Sequence, residues 1–585
     1  MKKSLLSKSA VALAAGFLAA GAAHAIVVGP AGGAVVNTVN PATVLEVNPA
    51  GLGQTLLVPY YTAQGGNDTY LSIVNTDMRN GKAVKIRFRG ASNSDDVLDF
   101  TILLSPGDVW AAAISKPAGQ DLPKLTTSDK SCTLPAIPQN GVNFNPARLH
   151  QKLTAAQQAS ETREGYVEIF NMADIPPTAA PAAGAVAFDL YRAIEHVNGT
   201  PRGCAQASVT ALLDTNLVST TNYADAQALG LEVPTTGLMA NWNIVNVPTA
   251  ASWSGAATAI EARVAANGAP GYGNVVLFPQ IDTVTVSEAD SRLFTSDALL
   301  RGGNAANVAV GAAAGEVPGA QVLTALPVDF PDMSTPYLNA DIVNLANGIA
   351  TKSQTSRLMG SFATLSVSNE YNTLAAVAGK NDWTFTMPTR RYNVVRNYDN
   401  AGANEGAGGT LYTNLTHDDA GAAIAPVTSD YFISGGQVVS NTQEGKRHQL
   451  CVTGVTFSGG AKGGAEGGNR NSAVTADREE AFVAAGSAGA VFSPAVPGTP
   501  ASFCGEASVL TFNNLTALSP EVAKRDIGTT ASEGWVRFAV PNRIAGVDLG
   551  LPVLGNSFVQ FTNGAAAAGV RGNYGLAWPH RTSIR

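Results

Sequence analysis

The stretch KAVKIRFRGASNSDDVLDFTILLSPGDVW, residues 82–110, decides the fold class of this chain. Its first part alternates apolar and basic side chains: Val84, Ile86 and Phe88 are interleaved with Lys85, Arg87 and Arg89. Side chains on a β-strand point alternately to its two faces, so a period of two is typical of a strand with one buried face. We therefore expect the apolar side chains to meet a core and the basic ones to face solvent or the acidic segment at 95–99.

A second strand follows within the same stretch. Apolar residues alternate again over residues 98–104, and Ser105-Pro106-Gly107-Asp108 then has the composition of a type II turn. If these two strands are neighbours, the carboxylates of residues 95–99 can form cross-strand ion pairs with the basic side chains of the first strand.

A turn signal lies just before the first strand. Asn80-Gly81 is a strong β-hairpin sequence, and the run YLSIVN at 70–75 is the expected partner strand. Four or five short strands at this spacing predict a mainly β fold, built from immunoglobulin-like antiparallel β-sandwiches.

The rest of the chain continues this pattern more loosely. Further strands are predicted at 166–170, 185–191, 242–247, 275–278, 365–367, 383–387, 450–457, 535–540 and 558–562. A few short helices are expected, of which 222–229 and 256–266 have the clearest signals. Long Gly/Ala-rich insertions at 302–319, 400–410 and 459–489 are predicted to be surface loops or inter-subunit arms.

The N-terminus has the layout of a bacterial signal peptide. Lys2, Lys3 and Lys8 precede an apolar, alanine-rich run, and Ala23-His24-Ala25 is a small-x-small cleavage site. This pattern predicts cleavage after Ala25 and export through the Sec pathway to the cell surface or the extracellular space.

The predicted organisation has four parts. They are a signal peptide at 1–25, an N-terminal β-sandwich region at 26–205, an insertion-rich middle region with short helices at 206–350, and a C-terminal β-rich region at 351–585.

Charge is scarce in this chain. Charged residues make up 14% of it, against about 25% in an average soluble domain. Without the three lysines of the signal peptide, 34 of the 37 basic residues remain against 44 acidic ones, a net charge of about −10. This balance argues against nucleic acid as a partner. It suits surfaces covered by neighbouring subunits, because charged residues are depleted at interface cores.

After residue 25 no run approaches the ~18–20 apolar residues of a membrane helix, so no transmembrane segment is expected.

The chain has four cysteines, at 132, 204, 451 and 504. An even number in an exported protein favours two disulfides, and three pairings are open. Because the cysteines form an N-terminal and a C-terminal pair, the simplest assignment is Cys132–Cys204 with Cys451–Cys504.

Motifs for catalysis are absent from the sequence. It contains no H-E-x-x-H, no G-x-S-x-G and no P-loop. Calcium is the one cofactor considered, since Asp399, Asn400, Asn404 and Glu405 offer oxygen ligands in a glycine-rich loop. His417-Asp418-Asp419 is a weaker metal-like cluster.

Acidic residues and tryptophans are the residue types that could serve carbohydrate chemistry. Glu164 and Glu168 lie four apart in a strand pattern, ~13 Å from each other, which is too far for a glycosidase pair. Asp477, Glu479 and Glu480 are expected to form a charged turn. The six tryptophans divide into an expected core set, 110, 242, 383 and 535, and two better candidates for exposure, 253 and 578.

Several segments resemble a group of exported, β-rich proteobacterial cell-surface proteins. They are VPYYTAQGGNDTYLSIVNTD (58–77), KAVKIRFRG (82–90), SNSDDVLDFTILLSPGDVW (92–110), REGYVEIFNM (163–172), NWNIVNV (241–247), DWTFTMPTRR (382–391), DREE (477–480) and EGW (533–535). The resemblance implies a cell-surface location and a β-rich fold. It carries over no catalytic or binding residue.

These observations favour an exported structural or interaction protein that self-assembles into a layer or filament, with copies of itself or cell-envelope components as partners. The alternative is a secreted adhesin or glycan-binding module. An extracellular hydrolase is the third hypothesis, and no enzymatic activity is expected.

Overall fold

The computed structural model describes part of the chain. The described residues are 26–30, 39–92, 94–146, 149, 153–178, 189–212, 222–278, 358, 360–388, 394–396, 410–412, 451–457, 472–478, 501–529, 531–540, 543–544, 547–548, 550–567 and 570–583. Residues 1–25 and most of the three Gly/Ala-rich insertions lie outside them. Among the described residues, no helix is long and apolar enough to cross a membrane.

The first eighteen strands lie before residue 280. They are β1 (Ile26–Val28), β2 (Val44–Val47), β3 (Thr55–Thr62), β4 (Asn67–Asn75), β5 (Gly81–Gly90), β6 (Asp96–Leu104), β7 (Val109–Ser115), β8 (Lys124–Thr126), β9 (Cys132–Leu134), β10 (Val142–Asn143), β11 (Glu164–Ile175), β12 (His196–Val197), β13 (Thr200–Pro201), β14 (Leu238–Asn246), β15 (Ala251–Ala256), β16 (Thr258–Val264), β17 (Ala269–Pro270) and β18 (Val275–Leu277).

The remaining strands follow residue 360. They are β19 (Ala363–Thr364), β20 (Ser366–Asn372), β21 (Lys380–Thr386), β22 (Val394–Arg396), β23 (Thr410–Tyr412), β24 (Cys451–Phe457), β25 (Ser472–Asp477), β26 (Ala501–Cys504), β27 (Ala507–Phe512), β28 (Lys524–Ile527), β29 (Glu533–Ala539), β30 (Arg543–Ile544), β31 (Val547–Asp548), β32 (Leu551–Pro552), β33 (Asn556–Ala567), β34 (Val570–Pro579) and β35 (Arg581–Ser583).

The mainly β prediction is confirmed. In the first half, a six-stranded sheet (β10-β8-β7-β4-β14-β15) packs on an eight-stranded sheet (β17-β16-β3-β11-β5-β6-β9, with β2 on β16). In the second half, a six-stranded sheet (β26-β24-β25-β29-β20-β35) accompanies a five-stranded one (β28-β27-β21-β33-β34). Strands from both sides of the predicted boundary at residue 205 pair in the first two sheets.

Helices are short, as expected. Those with bounds in the described residues are α1 (Ala155–Glu161), α2 (Leu190–Ile194), α3 (Ala207–Thr210) and α4 (Tyr223–Ala228), with a 3-10 turn at Ala375–Val377. The helix predicted at 222–229 is confirmed, and a capping box between Asn222 and Asp225 begins it. The strand predicted at 185–191 is wrong where it is described, because α2 begins at Leu190 after the N-cap Asp189.

The helix predicted at 256–266 is also wrong. Residues Thr258–Val264 form β16, which pairs with β3 on one side and β2 on the other. Helix propensity is a weak preference, and two strand partners outweigh it. The other predicted strands are confirmed, with bounds that differ by a few residues.

The hairpin predicted at Asn80-Gly81 is wrong. The preceding run belongs to β4, which pairs with β7 and β14 in the six-stranded sheet. The following run is β5, which pairs with β6 and β11 in the opposite, eight-stranded sheet. The chain therefore crosses from one sheet to the other at this turn. The Asn75 side chain holds the crossing by donating to the Asn80 carbonyl at 2.9 Å.

The expected solvent face of β5 is buried. Every residue of β5 is buried, and Lys85, Arg87 and Arg89 are at most 1% exposed. The apolar side chains Val84, Ile86 and Phe88 meet the core between the sheets, as predicted. On the opposite face, the basic side chains form ion pairs with acidic residues of the neighbouring strand. Of the two predicted environments, solvent or the acidic segment at 95–99, the acidic segment is therefore the correct one.

One hydrophobic core joins the two halves of the molecule. It contains Leu71, Ile86 and Trp110 from the first half together with Val509 and Phe558 from the second. The Phe558 ring lies 5.6 Å from that of Trp242. The halves therefore share buried apolar surface.

Buried polar contacts reinforce this junction. Glu164 of β11 accepts backbone N–H groups from residues 521, 522 and 523 through Oε1, and the hydroxyl of Tyr60 at 2.6 Å through Oε2. The Trp253 indole donates to the Val559 carbonyl at 2.8 Å. A carboxylate in an apolar interior needs such donors, because an unsatisfied buried charge is costly.

Three tryptophan predictions hold and two fail. Trp110, Trp242 and Trp383 are buried, as expected. Trp253, expected to be exposed, is buried at the junction, while Trp535, expected in the core, is 37% exposed. Trp578 lies half-buried at the end of β34.

Candidate functional site

A layer of buried charges covers the face of the eight-stranded sheet that lies away from the shared core. This charged layer consists of Lys85, Arg87, Arg89, Asp96, Asp99 and Glu168. The Lys85 ammonium lies 3.5 Å from Asp99, the Arg87 guanidinium 3.5 Å from Asp96, and Arg89 Nε 3.0 Å from Glu168. The register of β5 with β6 and β11 places these groups side by side.

The charged layer has perturbed ionisation. Burial lowers the pKa of Lys85 to about 8, although Asp99 beside it favours the charged form. Burial and the neighbouring Asp99 raise the pKa of Asp96 well above its usual range. Perturbed groups can mark an active site, but ion-pair networks shift pKa values too. The opposite charges here face one another across strands, which is the arrangement of a structural network.

A Ser–His–Asp group occurs beside β7. His196 Nδ1 lies 3.2 Å from Ser105 Oγ and 3.6 Å from Asp108 Oδ2. A catalytic triad places the hydroxyl and the carboxylate on different ring nitrogens, so that the imidazole can transfer a proton between them. Both groups contact the same nitrogen here, and the group therefore lacks the geometry of a triad.

The candidate acids of a glycosidase are engaged in buried contacts. Glu164 binds backbone N–H groups at the junction, and burial raises the pKa of its carboxyl despite those donors. Glu168 pairs with Arg89. Asp477 ends β25, and Glu479 and Glu480 lie outside the described residues.

The predicted metal ligands Asp399, Asn400, Asn404 and Glu405 all lie outside the described residues, as does the cluster at 417–419. Within the described part of the chain, no group of three or more His, Cys, Asp or Glu side chains is arranged to hold a metal ion.

One predicted disulfide is present. Cys132 and Cys204 form it, with Cα atoms 5.1 Å apart, and it ties β9 to the segment before α3. The backbone register of β24 and β26 places Cys451 directly opposite Cys504. Directly opposed residues of antiparallel strands have the Cα separation that a disulfide requires. The Cys451–Cys504 pair stays a prediction, which this register favours.

The outer face of the first six-stranded sheet is almost free of charge. Four of its six strands, β7, β4, β14 and β15, present these side chains outward: Val109, Ala111, Ala113, Asp68, Tyr70, Ser72, Val74, Met239, Asn241, Asn243, Val245, Ser252, Ser254 and Ala256. Lys124 of β8 lies beyond them on the same face, opposite Ser115. Asp68 is the single charged member of this set, and burial raises its pKa. Tyr70 is 43% exposed at the centre. We call this set the uncharged face.

A shallow groove lies on the outer face of the second six-stranded sheet. Its volume is about 320 Å³, and it is lined by Ser368, Asn369, Glu370, Trp535, Trp578 and Arg581. Trp535 of β29 is directly opposite Glu370 of β20, and Arg581 of β35 is opposite Ser368. We call this the tryptophan groove. It was missed in the sequence because Trp535 lies in a strand pattern that also fits a core residue.

A larger cleft of about 820 Å³ lies where the two halves meet. Val44, Leu45, Glu46 and Val47 line it on one side, and Phe362, Leu554 and His580 on the other. Its lining contains no tryptophan, unlike that of the tryptophan groove.

Comparisons with family models, curated proteins and solved structures find no match to this chain.

Proposed function

We propose that this protein is an exported structural component of the cell surface or extracellular matrix that self-associates into a layer or filament. The uncharged face carries the proposal. A soluble surface usually mixes charges of both signs, and an extended face without them is typical of a surface covered by a partner. The proposal takes the sandwiches to be of immunoglobulin-like type, since antiparallel strands pair in packed sheets.

The proposed partner is a second copy of the chain. The uncharged face combines tyrosine and valine with small hydroxyl and amide side chains, and its one carboxylate, Asp68, lies near the start of β4, so two such faces can pack while burying little charge. Its area is roughly 400 Å² from the spacing of four strands. That is about half of what each partner buries in a stable complex. We therefore propose a weak contact that gains strength by repetition in an assembly.

Two further features fit a durable extracellular component. The Cys132–Cys204 disulfide restricts the unfolded chain, and disulfides persist in oxidising compartments. The shared core binds the two halves into one unit. A hydrolase is the weaker alternative, because Glu164 and Glu168 are engaged in buried structural contacts.

Sedimentation over a concentration series tests the proposal. We expect the mature chain to associate as its concentration rises. Tyr70→Glu should weaken the association at least tenfold, since two copies would present like charges to each other. Val377→Glu is the matched control, because Val377 is 38% exposed on the other half against 43% for Tyr70.

Two results would contradict self-association through this face. One is a wild-type chain that stays monomeric at the highest concentration. The other is an equal effect of Tyr70→Glu and Val377→Glu. Export is tested separately by N-terminal sequencing of the secreted protein, which should begin at Ile26.

A further inference from the structure

The tryptophan groove combines aromatic and hydrogen-bonding side chains on an open strand surface. We propose that it binds a neutral hexopyranose unit of an extracellular polysaccharide. This inference goes beyond self-association, since the groove and the uncharged face lie on different sheets.

The aromatic part of the groove fits a sugar ring. The face of an indole carries partial negative charge, and the C–H groups on one face of a pyranose carry partial positive charge, so the two surfaces attract and exclude water. Trp535 is 37% exposed, and Trp578 is half-buried beside it. Exposing an indole to water is unfavourable. A sugar ring stacked on Trp535 would cover its apolar surface and remove this cost.

The polar part of the groove fits hydroxyl groups. The Glu370 carboxylate can accept hydrogen bonds from two adjacent hydroxyls, and the Arg581 guanidinium can donate to ring or hydroxyl oxygens. Both side chains are exposed. The Arg581 guanidinium donates one hydrogen bond to the Pro579 carbonyl at 2.9 Å and keeps further N–H groups for a ligand. Their charges cancel, and the site therefore favours a neutral sugar over a uronic acid.

The groove is rigid beneath the proposed ligand. The Glu370 carbonyl accepts from the Trp383 indole and from Ser557 Oγ, both at 3.1 Å. Asn369 Nδ2 donates to the Trp578 carbonyl at 3.1 Å and to His580 Nδ1 at 3.0 Å. Side chains presented by fixed strands lose little freedom on binding, which improves affinity.

The shape of the groove points to an internal unit of a polymer. Its volume of about 320 Å³ is at the lower end of ligand sites, which run from ~300 to 1,000 Å³. It lies on the outer surface of a sheet, where a chain can pass across it in both directions. We therefore assign it one or two sugar units of a longer strand.

Affinity electrophoresis of the mature protein tests this assignment. The gels contain a soluble β-glucan, an α-mannan, a galactan or, as a charged probe, polygalacturonate. We expect retardation by at least one neutral polysaccharide, with quenching or a blue shift of tryptophan fluorescence. Trp535→Ala should weaken this binding at least tenfold, and Glu370→Gln about threefold or more.

Tyr574→Ala is the matched control, because Tyr574 is 56% exposed on β34 but does not line the groove. It should leave binding unchanged, and Trp535→Phe should restore part of it. A thermal melt checks that each variant folds. If Trp535→Ala does not fold, Glu370→Gln decides.

Three results would overturn the assignment: no retardation by any neutral polysaccharide, retardation by polygalacturonate alone, or equal loss in Trp535→Ala and Tyr574→Ala. The Tyr70→Glu variant should bind sugar as the wild type does. Sugar binding by a monomeric chain would refute self-association and leave this inference intact.

Discussion

Arg87 compensates two buried carboxylates at once. Its guanidinium lies 3.5 Å from Asp96 and 3.9 Å from Asp99, and its Cζ lies 4.9 Å from the centre of the Phe278 ring. The cation therefore lies between two carboxyl groups and an aromatic ring, all withdrawn from water. Without Arg87, both acids lose a nearby positive charge, and their buried site disfavours an uncompensated negative charge.

We predict that Arg87→Ala destabilises the protein by about 3–5 kcal/mol. An exposed arginine at this position would cost under ~1 kcal/mol. Urea unfolding monitored by circular dichroism measures the difference. Arg79→Ala, on the exposed turn before β5, is the control and should change stability by less than ~0.5 kcal/mol. Equal effects would mean that the charged layer is not structural.

His580 is held neutral by its surroundings. Its Nε2–H donates to the Thr384 carbonyl at 2.8 Å, while Nδ1 accepts from the Asn369 amide. The Trp383 and Phe385 rings pack against it. Burial lowers the pKa of His580 to about 4, from 6.5. Protonation would place a second N–H against the Asn369 donor.

This shift predicts a pH dependence of stability. The unfolded chain binds the proton near pH 6.5 and the folded chain near 4, so the contribution of His580 is fully present above pH 6.5 and is lost as pH falls towards 4. The full loss is roughly 3 kcal/mol. Urea midpoints of the wild type and of His580→Gln at pH 7 and 4.5 measure this loss. The buried carboxylates are common to both proteins, so their contribution cancels in the comparison. A difference between wild type and variant that does not change with pH would contradict the prediction.

At the scale of single residues, the sequence predicts periodicity but not environment. Val84, Ile86 and Phe88 face the core as their spacing indicates. The alternating basic residues give the same pattern whether they meet water or a layer of carboxylates, so their burial could not be predicted. The same holds for Trp253 and Trp535, because exposure depends on strands that are distant in the sequence.

Among the structural elements, β34 lies against β15 at the junction of the two halves. A Cβ atom built on Gly575 would lie 2.0 Å from the Ser252 carbonyl oxygen, which is far inside contact distance. The Asn573 side chain also donates to the Thr249 carbonyl there. Only glycine allows β34 to lie against β15 in this way.

We predict that Gly575→Ala separates these strands and destabilises the protein by about 2–4 kcal/mol, a typical cost of overpacking and backbone displacement. Gly564→Ala on the neighbouring β33 is the control, because its added methyl group would meet nothing within 4 Å. Thermal melts of the two variants give the comparison. A Gly575→Ala protein as stable as Gly564→Ala would show that the junction is not tightly packed.

The sequence predicted the strands better than their partners. Period-two runs identified β5, β6, β11 and β14, because alternation is a local property. Asn80-Gly81 wrongly joined β4 to β5, because a turn signal does not specify which sheet the next strand enters. The tryptophan groove was not found for a related reason: its residues come from β20, β29, β34 and β35 and converge only after the sheets have formed.

For the molecule as a whole, the shared core predicts a single unfolding transition. Residues such as Trp242 and Phe558 lose their packing together, and Glu164 loses its backbone donors when the halves part. We expect differential scanning calorimetry to give one peak whose van't Hoff and calorimetric enthalpies agree. Two separate peaks would mean that the halves unfold independently and that the junction contributes little.

The shared core also determines when during synthesis the chain can complete its folding. Among the described residues, its N-terminal contributors end at Ala259 and the next member in the chain is Ala507. At ~5–20 residues per second, a ribosome needs roughly 10–50 s to bridge that interval. During this delay the apolar surface around Trp242 and Trp253 has no lining on one side. We therefore expect the nascent chain to need a chaperone or a delayed collapse, and a truncation before residue 507 to be a target for proteases.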